Sequence, residues 1–153
     1  MATEHLVGRL TALLPGACLV TPAMIASASC AKGAYVLLAH LGAPQALVIR
    51  GTSWPLEAGW HVYVGSARGS GGMRARLGHH FRTDKSPHWH IDRVTTAADA
   101  LLAVSVEGGV ECEIVARLAG SGWFGNILPG FGSSDCTVCV SHLLVPQGQG
   151  LME

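Results

Sequence analysis

Residues 60–92, WHVYVGSARGSGGMRARLGHHFRTDKSPHWHID, concentrate the side chains best suited to phosphate chemistry. They hold Tyr63 (one of only two tyrosines), five of the eight histidines and the cations Arg68, Arg74, Arg76, Arg82 and Lys85. Only two acids, Asp84 and Asp92, accompany them, so the formal neutrality of the whole chain conceals a local basic excess. A short strand over 60–64, a glycine-rich bend and a basic helix over 72–81 follow one another. That order suits a site for a phosphate-bearing ligand. Arg68, Arg74, His79 and Arg82 are the candidate phosphate contacts.

The elements that must position these groups are legible in outline. Thr3 caps a short helix with Leu6, Leu10, Leu13 and Leu14 on one side, stopped by Pro15-Gly16. Residues 15–32 are small and apolar without a clear period and are expected to form a loop packed on the domain. Apolar runs bounded by Gly or Pro predict strands over 34–39, 45–50 and 100–106, and a last short strand over 140–145. In the 60–64 strand, Trp60, Val62 and Val64 share one face while His61 and Tyr63 share the other. Met73, Leu77 and Phe81 form a helical stripe, with Arg76 and His80 one turn apart at its border. Glu111, Val115 and Leu118 mark a second helix over 110–118. Residues 120–135 are expected to be a glycine-rich loop. The implied organisation is an extension over 1–31, one domain over 32–145 and a tail over 146–153.

Composition narrows the function classes. With 153 residues, 49% of them apolar and 13% charged, the chain is one compact domain rather than a disordered polypeptide. No apolar run approaches the ~18 residues of a membrane span. Glu4 and His5 stand where a secretion signal would carry Lys or Arg. Of five cysteines, only Cys136 and Cys139 are close in sequence, which argues against a disulfide framework and for a cytoplasmic setting.

Gly33-Ala34-Tyr35, then Tyr63-Val64-Gly65-Ser66-Ala67, then Arg76-Leu77-x-x-His80-Phe81 and a later helical Glu111 resemble, in that order, the GIY-YIG nuclease superfamily. The resemblance spans about residues 33–118. HWHID at 88–92, ECE at 111–113, PGFGSSDC at 129–136 and Ser141-His142-Leu143 look like one uncharacterised subfamily of it. Members occur alone and fused to endonuclease III-type DNA glycosylases. The resemblance implies a small α/β (α+β) domain with a three-stranded antiparallel sheet flanked by helices. It also implies Mg²⁺- or Mn²⁺-dependent endonuclease cleavage of DNA, in a repair setting. Tyr35, Tyr63, Arg76 and His80 would be the catalytic set and Glu111 the metal ligand. In that reading Tyr63 deprotonates the attacking water, His80 orients Tyr63 or handles the leaving group's proton, and Tyr35 holds water or Tyr63. The superfamily's late asparagine has only Asn126 as a counterpart.

Further residues form an outer group: Gly65 of the second motif, His88, His90 and Asp92 of HWHID, Asn126, Asp135 and His142. His88 and His90 could share a metal if extended, but on a helix they diverge and the segment caps and packs. Cys136-x-x-Cys139-x-x-His142 has zinc-like spacing, yet a closed site needs a fourth ligand, Cys112 or His88. Buried thiols and a turn that returns the C-terminal segment to the active face are the preferred reading. Two rivals to the nuclease follow: a non-catalytic nucleic-acid-binding module, and a structural zinc protein. The extension could serve a homodimer or protein partner, or cover a sheet edge.

Overall fold

The computed structural model describes residues 3–131 and 139–147. Its centre is strand β2 (Gly33–Leu41), which is buried on both faces and therefore apolar almost throughout. β5 (Gly59–Ala67) pairs with it antiparallel on one side and β6 (Ala100–Glu107) on the other. β1 (Cys18–Val20) adds to the outer side of β6, while β8 (Leu143–Pro146) and β7 (Phe124–Asn126) extend the sheet beyond β5. Among the described residues the sheet thus has six strands, not three, in the order β1-β6-β2-β5-β8-β7. The α/β (α+β) class stands, and the correction comes from short strands at both flanks.

Helices cover both faces. On one, α1 (Thr3–Leu13) and α4 (Glu111–Gly120) bury Leu6, Leu10, Ile114, Val115 and Leu118 against Val36, Leu38, Val62 and Val64. On the other, α2 (Gly72–Phe81) and α3 (Ile91–Ala97) pack Met73, Leu77, Ile91 and Val94 against Leu37, Ala39 and Tyr35. Successive β2 residues alternate between these two cores, as strand geometry requires.

The N-terminal segment is more ordered than expected. β1 pairs Cys18–Val20 with Ser105–Ala103, and a 3-10 turn over Pro22–Ser27 leads back to α2. The backbone N–H groups of Met73 and Arg74 donate to the carbonyls of Ala31 and Ser29, tying the segment to the first turn of α2. It therefore covers the β6 edge.

A separate two-stranded hairpin, β3 (Gln45–Ile49) and β4 (Thr52–Leu56), stands apart from the main sheet. Its two-residue turn places Arg50 at φ 51° and Gly51 at φ 81°. Left-handed backbone at both positions matches the twist of the strands but is unusual for arginine. No helix among the described residues is long and apolar enough to cross a membrane.

Candidate active site

Tyr35 and Tyr63 lie on adjacent strands and on the same face. Tyr35 is opposite Gly65, Tyr63 is opposite Leu37, and the two rings are 6.5 Å apart. Gly65 is needed for space: a Cβ there would collide with the ring and hydroxyl of Tyr35. The missing side chain lets the buried Tyr35 lean across β5 toward α2.

Tyr35 meets His80 there, with its hydroxyl 2.6 Å from His80 Nε2. Burial, followed by the neighbouring Tyr63, pushes the Tyr35 phenol well above its ordinary value despite the opposing Arg76. Tyr35 therefore keeps its proton, and in the tautomer that leaves Nε2 bare its O–H donates a hydrogen bond to that nitrogen. Burial, then the Lys85 ammonium, pulls His80 down to about 3, so the ring is neutral at physiological pH. Its own proton then sits on Nδ1, which faces Asp92 Oδ1 at 3.9 Å. The structure pairs His80 with Tyr35 rather than with Tyr63, whose ring centroid lies 6.2 Å from that of His80.

That neutrality has a pH consequence. Below about 6.5 an unfolded chain protonates this histidine, while the folded protein does not until pH approaches 3. The unfolded state binds more protons across that window, so stability falls as pH is lowered, by up to ~1.4 kcal/mol per unit from this group. His80→Gln keeps an acceptor for Tyr35 and removes the titration. Its thermal midpoint is expected to fall less than the wild type's between about pH 6.5 and 4; parallel curves would contradict the neutral, buried His80.

Asp92 organises the HWHID segment. It is fully buried, its Oδ2 accepts the backbone N–H groups of His88 and Trp89 at 2.7 and 2.9 Å, and His79 Nε2 is 3.0 Å away. Burial alone would raise its carboxyl. The Trp89 and His88 amides and His79 outweigh that and hold it below the usual range. Lys85 Nζ stands 3.9 Å away and donates to the carbonyls of His79 and His80, closing the loop. Trp89 is more than packing, because the Arg76 guanidinium lies 4.3 Å from its ring centroid. Sequence reasoning overlooked this platform. His88 and His90 are exposed, and among the described residues neither joins a metal-ligating group.

Arg76 and Glu111 act on both phenols. Burial, then the Glu111 carboxylate, raises Tyr63 to about 12, with Arg76 opposing. Glu111 opens α4, is one-third exposed, and its Oε2 lies 3.3 Å from Nδ1 of the buried His142. Glu113 is exposed on another side of the helix. Asn126 does not reach for a ligand: its side-chain amide donates to the Ser141 carbonyl at 2.7 Å. Cys112, Cys139 and His142 come together, their ligand atoms all within 4.8 Å of one another. Asp135 and Cys136 lie outside the described residues.

The proposed phosphate contacts scatter. Arg74 Nε donates to Ala28 O and Arg68 to Gly109 O, so both are engaged by backbone. His79 belongs to Asp92. Arg82 remains largely exposed beside Asp84. Instead, a cleft of about 900 Å³ opens over Tyr63, walled by the β3–β4 hairpin, residues 87–91 and 93, and Leu128–Phe131. Arg50, Trp54 and Arg93 line it, residues that spacing around the tyrosine motifs did not single out. A smaller hollow of about 310 Å³ holds Arg76 and His79, with Trp89 lining both spaces.

No curated protein and no solved structure matches the chain. One family does, described as "Domain of unknown function DUF123", over residues 34–151. That span takes in β2, both tyrosines, the Asp92 knot, Glu111 and His142, and the chain belongs to the DUF123 family.

Proposed function

We propose that this protein is a divalent-metal-dependent endonuclease of the GIY-YIG type that hydrolyses phosphodiesters in DNA. The observation that carries the reading is the gathering of Tyr35, Tyr63, Arg76 and Glu111 from two strands and two helices into one cluster, with each charge felt by both phenols.

Glu111 is a hard oxygen donor with part of its surface open, which fits an ion that keeps most of its waters. When bound there, Mg²⁺ or Mn²⁺ would neutralise charge on the phosphate. The chain's own residues do the rest. Arg76, steadied on Trp89, presents its planar guanidinium to a phosphate oxygen as charge develops. Tyr63 lines the large cleft and orients the attacking water. Burial first and the Glu111 carboxylate second hold its phenol at about 12, so Tyr63 keeps its proton and acts on that water through a hydrogen bond. Tyr35 and His80, both neutral, brace the cluster from beneath through their hydrogen bond.

The test is cleavage of single-stranded, duplex and branched DNA with Mg²⁺, Mn²⁺ or EDTA, comparing wild type with Glu111→Ala. Metal-dependent cuts that vanish in a folded Glu111→Ala protein are expected. Full activity in that variant would remove Glu111 from the mechanism. A second reading, a non-catalytic nucleic-acid-binding module, draws on the Asn126 amide, which is already committed to Ser141. Salt-sensitive retention of DNA without cuts under any metal would favour it.

A further inference from the structure

We propose that Cys112, Cys139 and His142 hold a zinc ion, a site separate from the Glu111 ion and independent of the nuclease reading. The three donors come from two remote parts of the chain. Cys112 is in the first turn of α4, and Cys139 and His142 lead into β8. Their ligand atoms nevertheless all fall within 4.8 Å of one another. Around a tetrahedral zinc ion, thiolate and imidazole donors stand roughly 3.5–3.8 Å apart, so closure asks for shifts of about 1 Å or less.

The chemistry selects the metal. Two sulfurs and an imidazole are a soft set that suits zinc and disfavours Mg²⁺. Cys112 and Cys139 are both half-buried, while His142 is almost fully enclosed. Glu111 Oε2 stands 3.3 Å from Nδ1 of His142, so with that nitrogen turned to the carboxylate Nε2 would face the ion. Carboxylate, imidazole and metal in that order is a common arrangement that fixes the ring and its tautomer. Three protein donors with a fourth position filled by solvent or another donor is an established zinc geometry.

The ion would clamp the start of α4 to the entry of β8. Because Glu111 precedes Cys112 and touches His142, the clamp would also set where that carboxylate stands beside Tyr63.

Metal analysis of the full chain, purified from zinc-supplemented cells without chelator, tests this without any cleavage assay. About one zinc per chain is expected, with at least a tenfold loss in Cys112→Ser and in Cys139→Ser. So that misfolding of a variant cannot decide the outcome, zinc-depleted wild type should also be titrated with Co²⁺. A thiolate-to-cobalt charge-transfer band that saturates at one equivalent and is bleached by Zn²⁺ is expected. No such band in the wild type, or an undiminished band in the double Cys112→Ser, Cys139→Ser variant, would overturn the site. The two readings are told apart by their readouts: absence of zinc and of the cobalt band overturns this site whatever the cleavage assay shows, and absence of cleavage from a zinc-loaded protein overturns the nuclease and leaves this site standing.

Discussion

Asp92→Ala is expected to cost about 3–5 kcal/mol of stability, the usual penalty for removing one partner from a buried charged network. The carboxylate is fully buried and receives the amides of His88 and Trp89 with His79 alongside. Its loss strands two backbone donors and leaves the nearly buried Lys85 without its counter-charge. Asp92→Asn keeps an acceptor for an amide but not the charge, so its cost should fall well below that of alanine. Urea denaturation of the three proteins measures the order. Equal stability of wild type and Asp92→Ala would mean that the loop is held by Trp89 packing alone.

Arg76 should dominate the kinetics. In the proposed phosphodiesterase, Arg76→Ala is expected to lower kcat by roughly 10²–10³, the range for deleting one preorganised donor to a developing negative charge. Arg76→Lys should recover little of it, because an ammonium cannot stack flat on Trp89 or offer paired N–H groups to a phosphate. Trp89→Phe leaves a smaller ring beneath the guanidinium and should produce an intermediate loss in kcat with little change in KM. Steady-state cleavage rates across the four proteins decide this. A fall confined to KM in Arg76→Ala would make the residue a binding contact only.

The candidate site residues could be picked out because their types and order are unusual: two tyrosines on β-type runs, an arginine and a histidine one helical turn apart, and a glutamate on the apolar side of a helix. The principal helices were legible for the same kind of reason, as Met73, Leu77 and Phe81 repeat at helical spacing. Three short strands were not. Cys18–Val20 is three residues within a stretch of small side chains, and only the open edge of β6 makes it a strand. Thr52–Leu56 carries Pro55, which weakens a strand reading, and is entered through a turn that begins with an arginine in left-handed conformation. Phe124–Asn126 pairs only because β8 arrives beside it. The cleft was hidden with the hairpin, so Arg50 and Trp54 could not be placed before it was known. Arg68 and Arg74 each give one guanidinium N–H to a backbone carbonyl, a competition that composition does not register.

The strand order carries a consequence for how the protein is made. Every group of the proposed catalytic set has been synthesised by the time α4 is complete, yet β8 sits between β5 and β7. Until residues 143–146 leave the ribosome, the outer edge of β5 is bare and β7 has nothing to pair with. His142, the neighbour of Glu111, arrives in the same final segment. A nascent chain can therefore build β2, β5 and β6 first, but it completes the β5 edge and the surroundings of Glu111 only when residues 142–146 arrive. Chains truncated before β8 should accumulate as aggregation-prone intermediates with an open edge rather than as weakened enzymes.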